Sequence, residues 1–170
     1  YRFSWTYLDW WNDKPFNSYL ERFNELHHFN TDRKYMLYQL LRLIDDIPGD
    51  TVECGSLEGA GSYLIHLMND QSPQHERWHH VFDSFEGLSA PGEGDGKHWE
   101  QGDLSVSMGQ VRKNMDSFDR YTLYQGWIPS RFAEVQDKRI AFVHIDVDLY
   151  QPTRDAIEFF YPKMSEGGVI

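Results

Sequence analysis

The chain has 170 residues, of which 27 are acidic and 16 basic, for a formal net charge of −11. That length allows one domain of ordinary size with a real core, and that charge argues against nucleic acid and anionic membrane as partners, since both require positive patches. A single cysteine, Cys54, excludes an internal disulfide, and no apolar run nears the ~20 residues of a membrane span, so a cytoplasmic protein is expected.

Residues 1–30 read as a leader distinct from the rest, with Trp5, Tyr7, Trp10 and Trp11 crowded before Pro15. Such aromatic density suits a lid over a pocket, a contact between copies in a homo-oligomer, or plain packing on the domain. Residues 31–170 read as one α/β core. Thr31 or Asp32 caps a helix with Met36, Leu37, Leu40, Leu41, Leu43 and Ile44 on one broad apolar face, ended by Pro48 and Gly49. His27 and His28 before it have no companion at metal-ligand spacing.

A short strand, Thr51 to Cys54, leads into a turn with Gly55, Gly59 and Gly61 and then an apolar segment of helical length. Glycines here let a ligand approach the backbone and turn the helix's first N–H groups toward it. The spacing G-x-x-x-G-x-G is not the dinucleotide fingerprint, and an ordinary tight turn explains it equally well. Glu53 stands where a carboxylate meets a cationic group of a ligand or pairs with a basic side chain. His79 and His80 precede the second strand and are expected at the surface. Asp83 ends that strand, where an acid can accept from both hydroxyls of a ribose; the competing reading is a helix N-cap, with Ser84 and Glu86 nearby.

Ser89 to Gly102 reads as a mobile, solvent-facing loop of the length that lids have. A helix is predicted over Ser105 to Phe118, a third strand over Tyr121 to Gln125, a fourth over Ile140 to Ile145, and a helix from Thr153 to Tyr161 before Pro162. Alternating strands and helices predict a doubly wound, mostly parallel sheet of Rossmann-like kind. The stretch FVHIDVDLYQ, Phe142 to Gln151, is the most telling. Its apolar run breaks into two acids, and period-two alternation places His144, Asp146 and Asp148 on one side at the ligand edge, as a hard cation such as Mg²⁺ requires. The structural alternative is one acid as a helix cap and the other in an ion pair.

Taken together, ECGSLEGAGS, FDSFEGL, LYQGWIPSRF, FVHIDVDLYQPT and the terminal GGVI resemble, in order, the motifs of the macrocin O-methyltransferase (TylF-like) family, from about Asp32 to Ile170. The resemblance implies a Rossmann-like enzyme that moves a methyl group from S-adenosylmethionine to a hydroxyl, commonly on a sugar of a glycosylated natural product, with Mg²⁺ holding the acceptor oxygen. It implies Glu53, Gly55 and Ser62 at the cofactor's methionine end with Gly59 in the same loop, Asp83 at its ribose with Ser84 beside it, and Ser105, Gly126 and Trp127 near its adenine. Asp146 would hold the metal; His144 and Asp148 are near enough to it in sequence to take the proton, as is a residue beyond Ile170, and Asp148 and Tyr150 can instead support Asp146. Members of that family continue past the glycine pair into a strand with two further acids that complete the metal site. The sequence ends at Ile170, which predicts a sheet without its last two strands, a metal site short of carboxylates, and hence a fragment.

Two rival readings differ in class. A metal-dependent glycosyltransferase also uses Asp-x-Asp after an apolar strand, which Asp146 and Asp148 satisfy, but it leaves the glycine turn and Asp83 without a role. A non-catalytic domain would bind cofactor or partner without turnover.

Overall fold

The computed structural model describes residues 12–26, 30–74 and 76–170. Trp5, Tyr7, Trp10, Trp11, His27 and His28 lie outside the described residues. The chain divides into two compact units, Tyr1–Leu43 and Ile44–Ile170.

In the first unit, α1 (Lys14–Arg22) starts at Asp13, whose Oδ1 accepts the N–H of Phe16 at 2.9 Å, with Pro15 in the first turn. Phe16 stacks on Tyr38 of α2 (Thr31–Arg42) at 5.2 Å between centroids and meets Tyr35 edge-on at 5.4 Å. The cap of α2 is not the one expected. Asn30 takes the cap position, and Thr31, already helical, donates its hydroxyl to Glu25 O at 2.9 Å. The expected broad apolar face is narrower too. Leu37 and Leu41 are buried, but Met36 is 57% and Leu43 67% exposed.

The second unit is a five-stranded sheet: β1 (Asp50–Cys54), β2 (His79–Asp83), β3 (Tyr121–Gln125), β4 (Ile140–Ile145) and β5 (Met164–Val169), in the order β3-β2-β1-β4-β5 with every pairing parallel. The crossovers carry α3 (Ala60–Gln71), α4 (Met108–Asn114) and α5 (Tyr150–Phe160). Helices cover both faces, as parallel strands require. One face packs Phe82, Tyr124, Phe132 and Phe160, with Phe82 stacked on Tyr124 at 4.5 Å and Phe132 edge-on to Phe160 at 4.8 Å. The other face packs Phe85, Val111 and Met115 against Tyr63 and Phe118. Cys54 is buried in the first of these clusters, and burial pushes its thiol well above the ordinary value, which suits a core residue and not a nucleophile. No described helix is long and apolar enough to cross a membrane.

Three local expectations need correction. His79 and His80 are not surface residues. They open β2, are 0% and 2% exposed, and reach opposite faces: His79 meets the Thr51 hydroxyl at 3.0 Å, while His80 bridges Asp50 at 3.1 Å and the Tyr124 hydroxyl at 3.0 Å. Polar partners on flanking strands replace the lost water. The helix predicted from Ser105 begins only at Met108, because the Ser107 hydroxyl accepts the N–H of Gln110 at 3.3 Å and sets the cap there; it ends at Asn114. The helix predicted from Thr153 begins at Tyr150, and Pro152 is tolerated in its first turn, where the N–H has no intrahelical partner.

Candidate functional site

The carboxyl ends of β1, β2, β3 and β4 lie along one edge, and the residues singled out in the sequence follow those ends. At the end of β1, Gly55 adopts φ +84°, and a Cβ there would stand 2.2 Å from the backbone oxygen of Asp146. Glycine is thus what lets the first turn pack directly against the residue following β4. Gly59, at φ +83°, occupies the cap position of α3, and no side chain caps that helix end. Such an end presents N–H groups and the positive pole of the helix toward the edge.

Glu53, Ser62 and His144 come together behind this turn. Glu53 is 1% exposed; it accepts the Ser62 hydroxyl on Oε2, and Oε1 lies 2.9 Å from Nδ1 of His144. Registry explains the meeting, since Glu53 and His144 are partners across β1 and β4. Gly61 makes room for the carboxylate, because a Cβ there would come within 2.1 Å of Glu53 Oε1. Both Glu53 oxygens therefore have protein partners, and the His144 ring is fixed through Nδ1.

Asp83 belongs to a second group. Its Oδ2 accepts the N–H of Ser56 at 2.7 Å and the Ser56 hydroxyl at 3.0 Å, and its Oδ1 accepts the N–H of Phe85 at 2.7 Å. The Ser84 hydroxyl donates to Gly87 O at 2.6 Å and accepts the N–H of Glu86 at 3.0 Å, so it shapes the turn that carries Asp83. Trp127 Nε1–H donates to the same Gly87 O at 3.2 Å, and the N–H of Gly126 donates to Asp83 O at 2.9 Å. The indole of Trp127 remains 44% exposed. Ser105 is exposed in the segment before α4, with no described bond to this group.

The third group follows β4. The strand ends at Ile145, so the alternation argument stops short of both acids. Asp146 N–H still donates to Cys54 O at 2.9 Å, but Asp148 turns to φ +59°. Asp146 and Asp148 are exposed, while Val147 and Leu149 between and after them are buried and anchor the turn. Among the described residues, no group of three or more His, Cys, Asp or Glu side chains converges as a metal ion would need.

Sequence reasoning missed three kinds of residue here. Ser56 gave no signal, since a serine after glycine is ordinary. Leu57 and Leu104 have φ +46° and +60° and are 48% and 43% exposed; an exposed leucine with left-handed backbone cannot be read from composition. Asp95 sits among Gly92, Gly94 and Gly96, a turn signal that announces a loop but not the loop's partner.

Comparison with known proteins bears on the family and the fold. The family described as Macrocin-O-methyltransferase (TylF) matches residues 35–170. The 8-demethyl-8-(2,3-dimethoxy-alpha-L-rhamnosyl)-tetracenomycin-C 4'-O-methyltransferase of Streptomyces olivaceus is 31% identical over 139 residues, 75% of this chain and 53% of its own length. The demethyldecarbamoylnovobiocin O-methyltransferase of Streptomyces niveus is 31% identical over 137 residues, 74% of this chain and 52% of its own. The crystal structure of CalS11, calicheamicin methyltransferase, superposes with a TM-score of 0.75 at 22% identity, over 95% of this chain and 68% of that one, a likeness of fold. The chain spans about half the length of the curated relatives it matches.

Proposed function

The chain belongs to the macrocin-O-methyltransferase (TylF) family, and from that premise we propose that it carries the cofactor site of an enzyme that methylates a hydroxyl of a glycosylated small molecule with S-adenosylmethionine as donor. The observation that carries this reading is the meeting, on one sheet edge, of the Gly55–Gly59 turn, Asp83 and Asp146, from three adjacent strands. The relatives named for tetracenomycin and novobiocin compounds support a glycosylated acceptor. The glycine turn and Asp83 also find roles here that an Asp-x-Asp glycosyltransferase would leave empty.

The residues suit the cofactor. The close seat of Gly55 and the uncapped start of α3 leave backbone donors at the edge, and Asp83 offers a carboxylate to neutral hydroxyls. When bound, S-adenosylmethionine supplies a methyl group already activated on a sulfonium. The protein's task is then orientation and proton removal. Asp148 is the base in this reading: it is exposed at the edge, and its backbone is held in a conformation that a side chain enters at some cost. Glu53 holds His144 through Nδ1 and Ser62 through its hydroxyl, which keeps the walls of the methionine end in register. A divalent cation has one candidate ligand in Asp146. Mg²⁺ seeks near-octahedral oxygen ligation, and the described residues gather no such set.

Calorimetric titration of S-adenosylhomocysteine tests the reading. Micromolar binding that Asp83→Ala weakens about tenfold or more is expected, as for loss of a charge-assisted hydrogen bond. A folded chain that gives no heat, or an Asp83→Ala variant that binds as well as the parent, would remove the nucleoside site from this edge.

A further inference from the structure

Residues 88–103 leave the end of β2 and return through a clasped neck, with Leu88 N–H donating to Asp103 O and Gly102 N–H to Leu88 O, both at 2.9 Å. A Cβ on Gly87, at φ +90°, would stand 2.4 Å from Gly102 O, so the neck closes only over glycine. A surface segment with joined ends is an Ω-loop, a form that is frequently functional. Its far end is tied as well. Asp95 Oδ2 accepts the N–H of Gly92 at 2.7 Å, closing a turn, and Oδ1 accepts the N–H of Tyr150 at 2.6 Å. Tyr150 is the first residue of α5, and Leu149 in the cap position makes no side-chain bond. The carboxylate that caps α5 therefore comes from 55 residues away in the chain.

Sheet order gives this tie its meaning. β1 lies between β2 and β4. A loop rooted at β2 and fastened just after β4 crosses the end of β1, a span of about 10 Å, or two strand spacings. The Gly55–Gly59 turn leaves that same end of β1 and leads into α3. We infer that residues 88–103 form a strap over this edge and that Asp95 is a positioning residue, the latch that holds the strap shut against α5. Only the naming of what lies beneath the strap rests on the proposed function; the latch itself does not.

Lys97, two residues beyond the latch, is exposed and is the only Lys or Arg between Arg77 and Arg112, so tryptic cleavage after it reports opening of the strap. Asp95→Ala should raise that cleavage about five- to tenfold relative to cleavage after Arg112, as for loss of a helix cap, whereas Asp95→Asn should fall between the parent and Asp95→Ala, because its single amide oxygen can accept from Tyr150 N–H or from Gly92 N–H but not from both. Tyr150→Pro removes the donor from the other side at a helix position that proline favours, after a Leu149 already extended at φ −106°, ψ 147°. It should give the same acceleration, and the double variant should add nothing. Unchanged cleavage in both single variants, or an additive double, would overturn the latch; so would a rise after Arg112 as large as that after Lys97, the sign of general loosening. Dissociation of S-adenosylhomocysteine, followed by stopped flow, completes the test. Faster release from Asp95→Ala supports the strap's place over the edge, and equal release overturns it. If the nucleoside binds neither protein, the cofactor reading fails while proteolysis still decides the latch.

Discussion

Counting acceptor sites on Asp83 shows what cofactor binding must change. A carboxylate offers about four lone-pair directions, and three are taken by Ser56 N–H, the Ser56 hydroxyl and Phe85 N–H. Two ribose hydroxyls cannot both be accepted unless one of these partners leaves. The Ser56 hydroxyl is the one that can rotate away without moving backbone, and it competes with the ligand for Oδ2. Ser56→Ala should therefore leave S-adenosylhomocysteine affinity unchanged or tighten it by up to about tenfold, the worth of one hydrogen bond. Weaker binding, measured by calorimetry, would show that the hydroxyl holds Asp83 in place instead. The proton acceptor separates in the same way. Asp148→Ala should cost about a hundredfold or more in turnover with nucleoside affinity intact, as removal of a general base does. His144→Gln, which loses a ring already committed to Glu53 through Nδ1, should instead disturb cofactor affinity. A reversal of these two patterns would exchange their roles.

At the level of elements, the turn after β1 is the most constrained stretch. Gly55→Ala would place a methyl 2.2 Å from Asp146 O at φ +84°, whereas Gly94→Ala in the strap meets nothing within 4 Å. Urea unfolding should show a loss of about 2 kcal/mol or more for the first and almost none for the second. Equal midpoints would mean that the turn relaxes more readily than its packing suggests. This contrast also explains what was legible in the sequence. β3 and β4 were read to the residue, because their apolar runs and flanking turns are local signals. Glu53, Asp83 and Asp146 could be placed along the sheet's carboxyl edge because each stands at or beside the end of such a run. What failed depended on partners distant in the chain. Nothing local tells that His79 and His80 will be enclosed by Thr51, Asp50 and Tyr124, or that Asp95 will cap a helix beginning at Tyr150. Alternation also misled where β4 stopped at Ile145 and the chain turned through Asp148.

Across the whole second unit, the buried His79 and His66 bear on the response to acid. His79 is fully enclosed, and burial pushes its pKa well below the ordinary 6.5; burial lowers His66 as well, with its ring 6.4 Å from that of His79 and its Nδ1 3.6 Å from Asp70. Around them stand Thr51, Asn69, Phe118 and Tyr121, and His79 Nε2 has no hydrogen-bond partner among the described residues. A proton on His79 would be poorly compensated. The sign follows from linkage: the folded pKa lies below the unfolded one, so above pH 6.5 both states hold the rings neutral and nothing is lost. Below it the unfolded chain takes up protons that the folded chain refuses, and stability falls as pH falls toward the folded pKa. Between pH 7 and pH 5, His79 should therefore cost stability, beginning as the pH drops past 6.5. The melting midpoint should drop over that interval. His79→Gln should start lower at pH 7, because it loses packing, yet show a shallower slope by about one proton. Midpoints taken every half pH unit decide it: parallel curves for parent and variant would mean that His79 accepts its proton in the folded state, with a carboxylate such as Asp70 or a rearranged His66 meeting the charge.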